Sequence, residues 1–240
     1  MNKKIRLYFS DKIQSNLIAH LPKEQSHYLK DVMRVKVGDI FSVFNSQGEW
    51  KASIQNYEKQ AVKIKILEKL RDKKNEKNIW LAFTPIKQNP LNFIIQKGTE
   101  LGVQKFIPIL SERTEVKDIN SERIKKIIIE SAEQSNRISI PEVTNLETLK
   151  NFIFNFPKEA CLIFCDINSN QIDIKKILST KDMGPICILI GPEGDFSENE
   201  RKLITGLKQS QSISLAQNIL RAETAAVAAV TLVNYYLNLS

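Results

Sequence analysis

From residue 79 onwards the chain alternates short apolar runs with segments of helical periodicity. The apolar runs lie at residues 79–83, 106–110, 160–165 and 186–190, and a further short strand is predicted at 212–215. The helical segments lie at residues 89–102, 121–134 and 146–154, after Ser197 and in the closing stretch. Apolar strands of about five residues separated by helices are typical of a parallel sheet that is covered on both faces. The alternation therefore predicts an α/β domain over residues 79–240.

Residues 1–70 follow a different pattern, in which short strands dominate. Strand-like runs lie at residues 5–9, 37–44 and 50–57. Val62, Ile64 and Ile66 alternate with lysines, which is the period-2 signature of a half-buried strand with a basic outer face. One helix, beginning at Pro22, interrupts the strands. This pattern predicts a small β-barrel domain, and the wholly polar residues 71–78 are predicted to be a linker.

The charge is distributed unevenly between these two parts. Residues 1–78 carry 17 Lys and Arg against 9 Asp and Glu, a net charge of +8, whereas residues 79–240 carry 18 of each kind. Such asymmetry indicates that the N-terminal part binds a polyanion. With 42% hydrophobic and 26% charged residues, the composition is that of a globular protein and excludes a disordered, collagen-like or coiled-coil architecture.

The cysteines indicate neither a disulfide nor a metal site. Cys161, Cys165 and Cys187 lie in apolar stretches without a C-x-x-C pair, and the chain has only two histidines, so zinc is not expected. No apolar run follows the first lysines, so we expect no signal peptide. The uncharged residues 224–240 predict a buried helix rather than a membrane anchor. We therefore expect a cytoplasmic protein with reduced thiols, no metal and no membrane contact.

A first candidate site follows the apolar run that ends at Ile190. Residues 191–197 read GPEGDFS, and Ser197 forms with Glu200 the capping-box pattern that opens a helix. Ligands bind at the carboxyl ends of parallel strands, and glycine lets the backbone approach them closely. The segment matches neither a P-loop nor a G-x-G-x-x-G fingerprint, so a phosphate cradle is disfavoured. A tight strand-to-helix turn explains the two glycines equally well.

A second candidate lies at residues 215–225, where the last strand passes into the last helix. Arg221 and Glu223 are the only charged residues after Lys208. Charges in apolar surroundings are rarely placed without a partner, so they are candidates for a site. An Arg–Glu pair that stabilises the first turn of the helix is the structural alternative.

Other segments carry polar residues or glycines that a simple helix does not need. Gly98 costs about 0.8–1 kcal/mol against Ala in mid-helix, which indicates close packing, whereas Gly102 is a predicted C-cap. Residues 130–137 are a helix end crowded with polar groups, which is either a site or a solvated end. In the N-terminal part, cations are interleaved with aromatic residues, as RNA contact requires: Arg6, Tyr8, His27, Tyr28, Lys30, Arg34 and Lys36. An ordinary basic surface is the alternative.

Taken in order, these segments resemble the RsmE family, methyltransferases that modify N3 of a uridine in small-subunit ribosomal RNA. The resemblance extends over nearly the whole chain. Its motifs are residues 6–9 (RLYF), 27–39 (HYLKDVMRVKVGD), 97–103 (KGTELGV), 111–113 (SER), 130–137 (ESAEQSNR), 191–197 (GPEGDFS) and 219–224 (ILRAET). Each motif alone is modest evidence, but the whole set in this order and spacing is highly specific.

The resemblance implies a PUA-like β-barrel RNA-binding domain (1–70), a linker (71–78) and a SPOUT methyltransferase domain (79–240). In that α/β fold the C-terminal segment is threaded into a trefoil knot, against the general rule for chain topology. The family also implies S-adenosylmethionine as methyl donor, 16S ribosomal RNA or the 30S subunit as partner, and a homodimer.

Residue roles follow from the resemblance as expectations. The cofactor-binding residues are expected to be Leu189, Ile190, Gly191, Glu193, Gly194, Leu215, Ala216, Asn218, Ile219, Leu220 and Thr224. The catalytic candidates are Arg221, which would stabilise charge on the uracil oxygens, and Glu223 or Glu193, which would accept the N3 proton. The RNA-binding candidates are Arg6, Tyr8, His27, Lys30, Arg34, Lys36, Lys97, Arg113 and Arg137.

The chain departs from the family at two positions. Asp195 and Ala216 stand where the family usually has glycine, and a side chain at such a position can crowd the cofactor or alter a positive-φ residue. Alanine is the mildest such change, so we expect it to be tolerated, and Asp195 is the greater departure. Two other functions therefore stay open: a related methyltransferase acting on tRNA or a ribose hydroxyl, and a non-catalytic RNA-binding factor for ribosome assembly.

Overall fold

The computed structural model describes residues 5–58, 61–169, 174–178 and 184–239. The chain divides into two compact units. The first contains residues 1–75 and 132–140, and the second contains residues 76–131 and 141–240. Residues 132–140 thus group with the N-terminal part of the chain, although a long stretch of the second unit separates them from it in sequence.

The first unit is built on a five-stranded sheet. Its strands are β1 (Arg6–Tyr8), β2 (Ile18–His20), β3 (Ile40–Asn45), β4 (Gly48–Tyr57) and β5 (Val62–Asp72). They lie in the order β1-β3-β4-β5-β2, with β1 and β3 parallel and the other neighbours antiparallel. A short helix, α1 (Lys23–His27), has Pro22 as its N-cap and continues into a π-helical turn (Tyr28–Val32).

Strand β5 confirms the predicted alternation of apolar and basic residues. Val62, Ile64 and Ile66 are at most 1% exposed and belong to the core of the first unit, whereas Lys63 and Lys65 stay partly exposed. The neighbouring strand β2 was not predicted, because three residues are too few to show a period.

The second unit is built on a parallel sheet in the order β12-β10-β11-β6-β7-β8, with β9 pairing β7 at one end. Its strands are β6 (Ile79–Phe83), β7 (Lys105–Leu110), β8 (Glu142–Val143), β9 (Glu147–Thr148), β10 (Cys161–Cys165), β11 (Ile186–Ile190) and β12 (Ser210–Ile213). Its helices are α2 (Gln88–Glu100), α3 (Ser121–Gln134), α4 (Leu149–Phe154), α5 (Ile174–Leu178), α6 (Glu198–Gly206) and α7 (Ala222–Leu239). All strand pairs are parallel, which confirms the predicted α/β class.

The sheet of the second unit is covered on both faces. Every residue of β11 is buried, and successive side chains of a strand point to opposite faces. Residues of α4 and α6, such as Phe152 and Ile204, share one core cluster with Leu189. The closing helix α7 packs against α2, β6 and β11. This packing accounts for the all-apolar strands from which the fold class was predicted.

Two glycines of the KGTELGV motif have the roles that the sequence predicted. A Cβ atom on Gly98 would lie 2.8 Å from Cε1 of Phe106 in β7. Helix α2 can therefore pack this close to β7 only because residue 98 has no side chain. Gly102 has φ +90°, the left-handed conformation of a residue that ends a helix. Helix α2 is therefore both packed and terminated by glycine.

The polar helix end at residues 130–137 is only partly solvated, because Ser131, Ala132 and Arg137 are buried. The Arg6 side chain, 8% exposed, donates to Glu49 (Nε–Oε1, 3.1 Å). It also donates to the carbonyl oxygens of Ala132, Glu133 and Arg137 at 2.9–3.1 Å. Carbonyls at the end of a helix lack partners within the helix. Arg6 thus caps the C-terminal end of α3 inside the first unit.

Glu49 completes this buried cluster of charges. It also accepts from Nε of Arg71 at 2.7 Å, and Arg71 donates in turn to the backbone carbonyl of Asn136 at 2.7 Å. Burial disfavours the charged form of Glu49, but hydrogen bonds from Arg6 and Arg71 outweigh it and hold the pKa of this carboxyl below its usual value.

No helix in the described ranges has the length and apolar character needed to cross a membrane. Residues 224–239, predicted to form a buried helix, lie in α7.

Candidate functional site

The carboxyl ends of five parallel strands lie at one edge of the second unit's sheet. In spatial order the strands end at Ile213, Cys165, Ile190, Phe83 and Leu110. Because neighbouring strands lie about 5 Å apart, the segments that follow β12, β10 and β11 are close neighbours. This edge therefore brings together the two candidate segments at 189–197 and 215–225.

The glycine loop, residues 191–197, follows the central strand β11. It opens with a turn in which the Asp195 N–H donates to the Pro192 carbonyl at 3.0 Å. A Cβ on Gly191 would lie 2.8 Å from the ring of Phe196, so this position requires glycine. The predicted capping box is present at the end of the loop: Ser197 Oγ accepts from Glu200 N, and Glu200 Oε2 accepts from Ser197 N at 3.0 Å.

The Ser111–Arg113 motif, which follows β7, holds the glycine loop from another side. The Glu112 N–H donates to Oε1 of Glu200 at 2.8 Å. Arg113 donates through Nη1 to the Gly194 carbonyl at 2.6 Å. Glu200, which is 5% exposed, thus accepts from the backbone N–H groups of both Glu112 and Ser197. Arg113 is predicted to bind RNA; its side chain is exposed, but one of its donors is already bonded to the Gly194 carbonyl.

The two departures from the family pattern are accommodated differently. Asp195 has φ +59°, a left-handed conformation that Asp tolerates better than most residues. Its Oδ1 accepts from the Phe196 N–H at 2.8 Å. Ala216 is half-buried and is not among the positive-φ residues of the described chain. The backbone at Ala216 thus does not need glycine.

The α7 entry loop, residues 214–221, leads into the closing helix. Leu215, Ala216 and Leu220 are half-buried, whereas Asn218 is exposed. Ile219 is 83% exposed, which is unusual for a large apolar side chain and leaves it free to cover an apolar ligand.

Arg221 and Glu223 stand where α7 begins. The Arg221 carbonyl accepts from Ala225 N at 2.8 Å, which makes Arg221 the cap of the helix. Arg221 and Thr224 are exposed, and Glu223 is half-buried. Glu193 of the glycine loop is also exposed. Within the described part of the chain, Arg221 and Glu223 form no ion pair, so the structural alternative of an Arg–Glu pair is not observed. Both side chains are therefore available to a ligand.

These residues fit S-adenosylmethionine, a zwitterion that carries an adenine. The strand end at Leu189 and Ile190 is buried and apolar, and Leu215, Ile219 and Leu220 add apolar side chains. The backbone N–H groups of the first turn of α7 have no partner within the helix. Across the described ranges, no group of His, Cys, Asp or Glu could hold a metal ion.

The predicted RNA-binding residues fall into three groups. His27, Lys30, Arg34 and Lys36 are exposed on the first unit, where His27 pairs with Asp31 (Nδ1–Oδ2, 2.7 Å). Lys97 is partly exposed and pairs with Glu100 at 2.8 Å, and Arg113 is bonded as described above.

The third group, Arg6, Arg137 and Tyr8, is buried or half-buried in the first unit. Arg6 caps α3, Arg137 is 8% exposed and donates to Ser139 Oγ at 2.8 Å, and Tyr8 is half-buried against Phe44. Arg6 and Arg137 are thus engaged in hydrogen bonds inside the first unit. The sequence did not reveal the bonding of Arg6, because its partners Glu49, Ala132, Glu133 and Arg137 lie far away in the chain.

Comparison with known proteins agrees with this geometry. The RNA methyltransferase domain family matches residues 73–234, and the RNA methyltransferase PUA domain family matches residues 21–67. Ribosomal RNA small subunit methyltransferase E of Rickettsia conorii is 33% identical over 94% of this chain and 93% of its own length. The same protein of Bacillus subtilis is 30% identical over 88% of each chain.

Solved structures extend the similarity to three dimensions. Ribosomal RNA small subunit methyltransferase E of Neisseria gonorrhoeae, bound to S-adenosyl methionine, superposes with a TM-score of 0.87 at 26% identity, covering 97% of this chain and 98% of that one. A putative methyltransferase of Legionella pneumophila in complex with the same cofactor gives 0.86 at 28% identity, over 97% and 98%. The chain therefore belongs to the RsmE family of SPOUT-fold RNA methyltransferases, the ribosomal RNA small subunit methyltransferases E.

Proposed function

We propose that this protein transfers the methyl group of S-adenosylmethionine to N3 of one uridine in small-subunit ribosomal RNA. The observation that carries the proposal is the meeting, at one sheet edge, of the glycine loop, the α7 entry loop and an exposed Arg221 that has no ionic partner among the described residues. In a chain of the RsmE family, this edge has the groups that the reaction needs.

The glycine loop and the α7 entry loop would hold the cofactor. Leu189, Ile190 and Gly191 offer backbone groups at the end of β11, with Glu193 and Gly194 beside them. Leu215, Ala216, Asn218, Ile219, Leu220 and Thr224 complete the proposed set from the other side. When bound, S-adenosylmethionine supplies an electrophilic methyl group.

Arg221 would stabilise the charge that develops on the uracil. N3 of uracil carries a proton, so the base reacts as an anion or loses its proton during transfer. Negative charge then accumulates on the two oxygens beside N3, and a guanidinium placed next to them lowers the barrier. The target base has to be unpaired or flipped before N3 is accessible.

Glu193 or Glu223 would accept the proton, directly or through water. Glu193 belongs to the glycine loop, and Glu223 lies in the first turn of α7. Positioning of the base by the surrounding chain supplies the rest of the rate.

The first unit would bind ribosomal RNA through exposed cations. His27, Lys30, Arg34 and Lys36 lie within ten residues of chain on its surface, and the unit carries the whole excess of positive charge. Such a surface gives affinity for phosphates without reading sequence. We place the protein in the cytoplasm, where small subunits are assembled.

We also propose a homodimer built on helix α7. Its outer face carries Thr231, Leu232, Tyr235 and Asn238, which are exposed and uncharged. Exposed apolar residues on a helix without charges are typical of protein interfaces.

Methyl transfer from labelled S-adenosylmethionine to isolated 30S particles and to free 16S ribosomal RNA tests the proposed function. We expect a single methylated uridine, modified at N3, when the product is mapped. Methylation of tRNA or of a ribose would favour the related enzyme, and an absence of cofactor binding in titration calorimetry would favour a non-catalytic assembly factor.

The role of Arg221 is tested by Arg221→Ala. Because the guanidinium acts in the transition state, kcat is expected to fall about 10²- to 10³-fold while the affinity for S-adenosylmethionine stays within about twofold. The exposed Lys208, changed to Ala, is the control and should retain wild-type kcat. Wild-type methylation by Arg221→Ala would show that this role is wrong.

A further inference from the structure

We infer that Asp195 is a positioning residue that, through Arg201, fastens the glycine loop to the segment after β10 and so holds the loop in its cofactor-binding shape. The inference rests on the proposed placement of S-adenosylmethionine at the glycine loop. It concerns a position at which this chain departs from its family.

The anchor of this arrangement is a buried ion pair between α6 and the end of β10. Arg201 donates to both oxygens of Asp166, through Nη1 at 2.8 Å and Nη2 at 2.7 Å. The Asp166 side chain is 4% exposed, and that of Arg201 is 23% exposed. Paired hydrogen bonds of this kind fix the orientation of the guanidinium plane. Arg201 is therefore held in place before it contacts the glycine loop.

Arg201 reaches the glycine loop through Asp195. Its Nη1 also donates to Asp195 Oδ2 at 3.2 Å, and Asn168 donates to the same oxygen at 3.4 Å. The other oxygen, Oδ1, accepts from the Phe196 N–H. One carboxylate thus joins its own loop to α6 and to the segment 166–169.

The segment after β10 is in turn fixed to its neighbours. The Asp166 N–H donates to the Ile213 carbonyl at 2.9 Å, where β12 ends, and Asp166 Oδ1 accepts from the Asn168 N–H at 2.8 Å. The Asp166–Arg201–Asp195 latch therefore ties the glycine loop to two strand ends at the proposed cofactor edge.

The latch gives the left-handed residue a function. Glycine at position 195 would adopt φ +59° without strain but would leave the loop without a side-chain tether. Asp accepts a modest conformational cost and gains three hydrogen-bond contacts. A loop that is ordered in advance loses less entropy when a ligand binds, so the latch should raise cofactor affinity.

The test is Asp195→Asn, which keeps a side-chain oxygen for the Phe196 N–H but turns an amide NH₂ toward Arg201. We expect the Kd and KM for S-adenosylmethionine to rise about two- to fivefold, since the pair is partly exposed. The kcat, the KM for RNA and the Tm should stay unchanged. A purely structural role of Asp195 would instead lower the Tm. An unchanged Kd for S-adenosylmethionine would overturn the inference.

A double-mutant cycle separates the latch from a direct contact with the cofactor. In an Asp166→Asn/Arg201→Gln background, which avoids an unpaired buried charge, Asp195→Asn should have no further effect on Kd. The same two- to fivefold loss in that background would show that Asp195 acts on the ligand itself. Glu198→Gln, an exposed acid in the first turn of α6, is the matched control and should bind normally.

Gly191→Ala distinguishes failure of the latch from failure of the proposed site. Its new Cβ would meet Phe196 and deform the glycine loop, so S-adenosylmethionine binding should fall sharply. Normal binding by Gly191→Ala would refute the placement of the cofactor. Weak binding by Gly191→Ala together with normal binding by Asp195→Asn would refute the latch alone.

Discussion

At the scale of single residues, the same chemical group serves opposite purposes in different surroundings. Arg221 is exposed and has no ionic partner among the described residues, so it is available to a substrate. The Arg6 side chain is buried and donates hydrogen bonds to Glu49 and to three backbone carbonyls. Arg201 lies between these extremes and holds two carboxylates. Burial and bonding therefore decide the role of an arginine, and its place in a motif does not.

Gly98→Ala tests the close approach of α2 and β7. Helix propensity alone would stabilise the variant by about 1 kcal/mol. The new Cβ would instead overlap the fully buried ring of Phe106, and overpacking costs about 1–3 kcal/mol. We expect a Tm lower by a few degrees in thermal unfolding.

Gly206→Ala is the matched control for Gly98→Ala. It lies at the end of α6, where a Cβ would meet nothing within 4 Å. Its Tm should stay the same or rise slightly. A higher Tm for Gly98→Ala as well would show that propensity outweighs the contact with Phe106.

At the scale of elements, helix ends carry much of the functional geometry. The Arg6 side chain caps the end of α3, and the Ser197–Glu200 capping box caps the start of α6. Arg221 occupies the N-cap position of α7, where its carbonyl accepts the first hydrogen bond of the helix. In each case the capping residue belongs to a motif of the family or lies beside one. The capping groups thus place the loops that precede or follow the helices.

Glu49→Gln tests the charged cluster at the end of α3. The folded-state pKa of Glu49 lies below its unfolded value, so its ionised form stabilises the fold above about pH 4.3 and this contribution is lost as pH falls through the folded pKa. Because the variant leaves Arg6 without an anionic partner, it should lose about 2 kcal/mol of unfolding free energy at pH 7.

Denaturant titrations of both proteins between pH 3 and 7 measure this dependence. The difference between wild type and Glu49→Gln should shrink below about pH 4. Glu68→Gln removes an exposed partner of Lys51 and should differ from wild type by less than about 0.5 kcal/mol throughout. A constant difference across the pH range would contradict the proposed ionic role of Glu49.

The elements also show what sequence reasoning can and cannot reach. The strand at 186–190, the helix at 121–134 and the capping box at Ser197 are confirmed, because each has a period or a local pairing of residue types. Strands β8 and β9 have only two residues each and show no period. The hydrogen bonds of Arg6 go to carbonyls more than 120 residues away, so no local sequence pattern could predict them.

The site shows the same limit. The glycine loop could be located from sequence because it follows an apolar strand, and the α7 entry loop because it leads to the isolated charges of Arg221 and Glu223. The hold of Arg113 on Gly194 and the latch between Asp195 and Arg201 could not, because both depend on which strands become neighbours.

At the scale of the whole molecule, the charge is divided between the two units. The basic excess lies in residues 1–78, which contain most of the first unit, and the remaining residues are neutral overall. We propose that this division separates affinity for RNA from cofactor binding and chemistry.

Changing Lys30, Arg34 and Lys36 together to Gln tests this separation. If each of the three side chains contacts a phosphate, the negative slope of log K for RNA binding against log salt concentration should become shallower by about 2. Each contact contributes about 0.7 to this slope on single strands. The affinity for S-adenosylmethionine should stay unchanged. Both quantities are measured by titration at several salt concentrations.

The matched control changes three exposed lysines of the second unit, Lys150, Lys158 and Lys208, to Gln. The same loss of charge there should leave the slope unaltered. An equal loss of slope in both triple variants would mean that net charge, rather than a defined surface, binds the RNA.

The grouping of residues 132–140 with the N-terminal strands bears on how the chain folds during synthesis. The first unit cannot satisfy Arg6 until the carbonyls of Ala132, Glu133 and Arg137 have left the ribosome. A growing chain therefore translates residues 76–131, about a third of the second unit, before the first unit can close. The first unit thus begins near the start of the chain but closes only after part of the second unit has been translated.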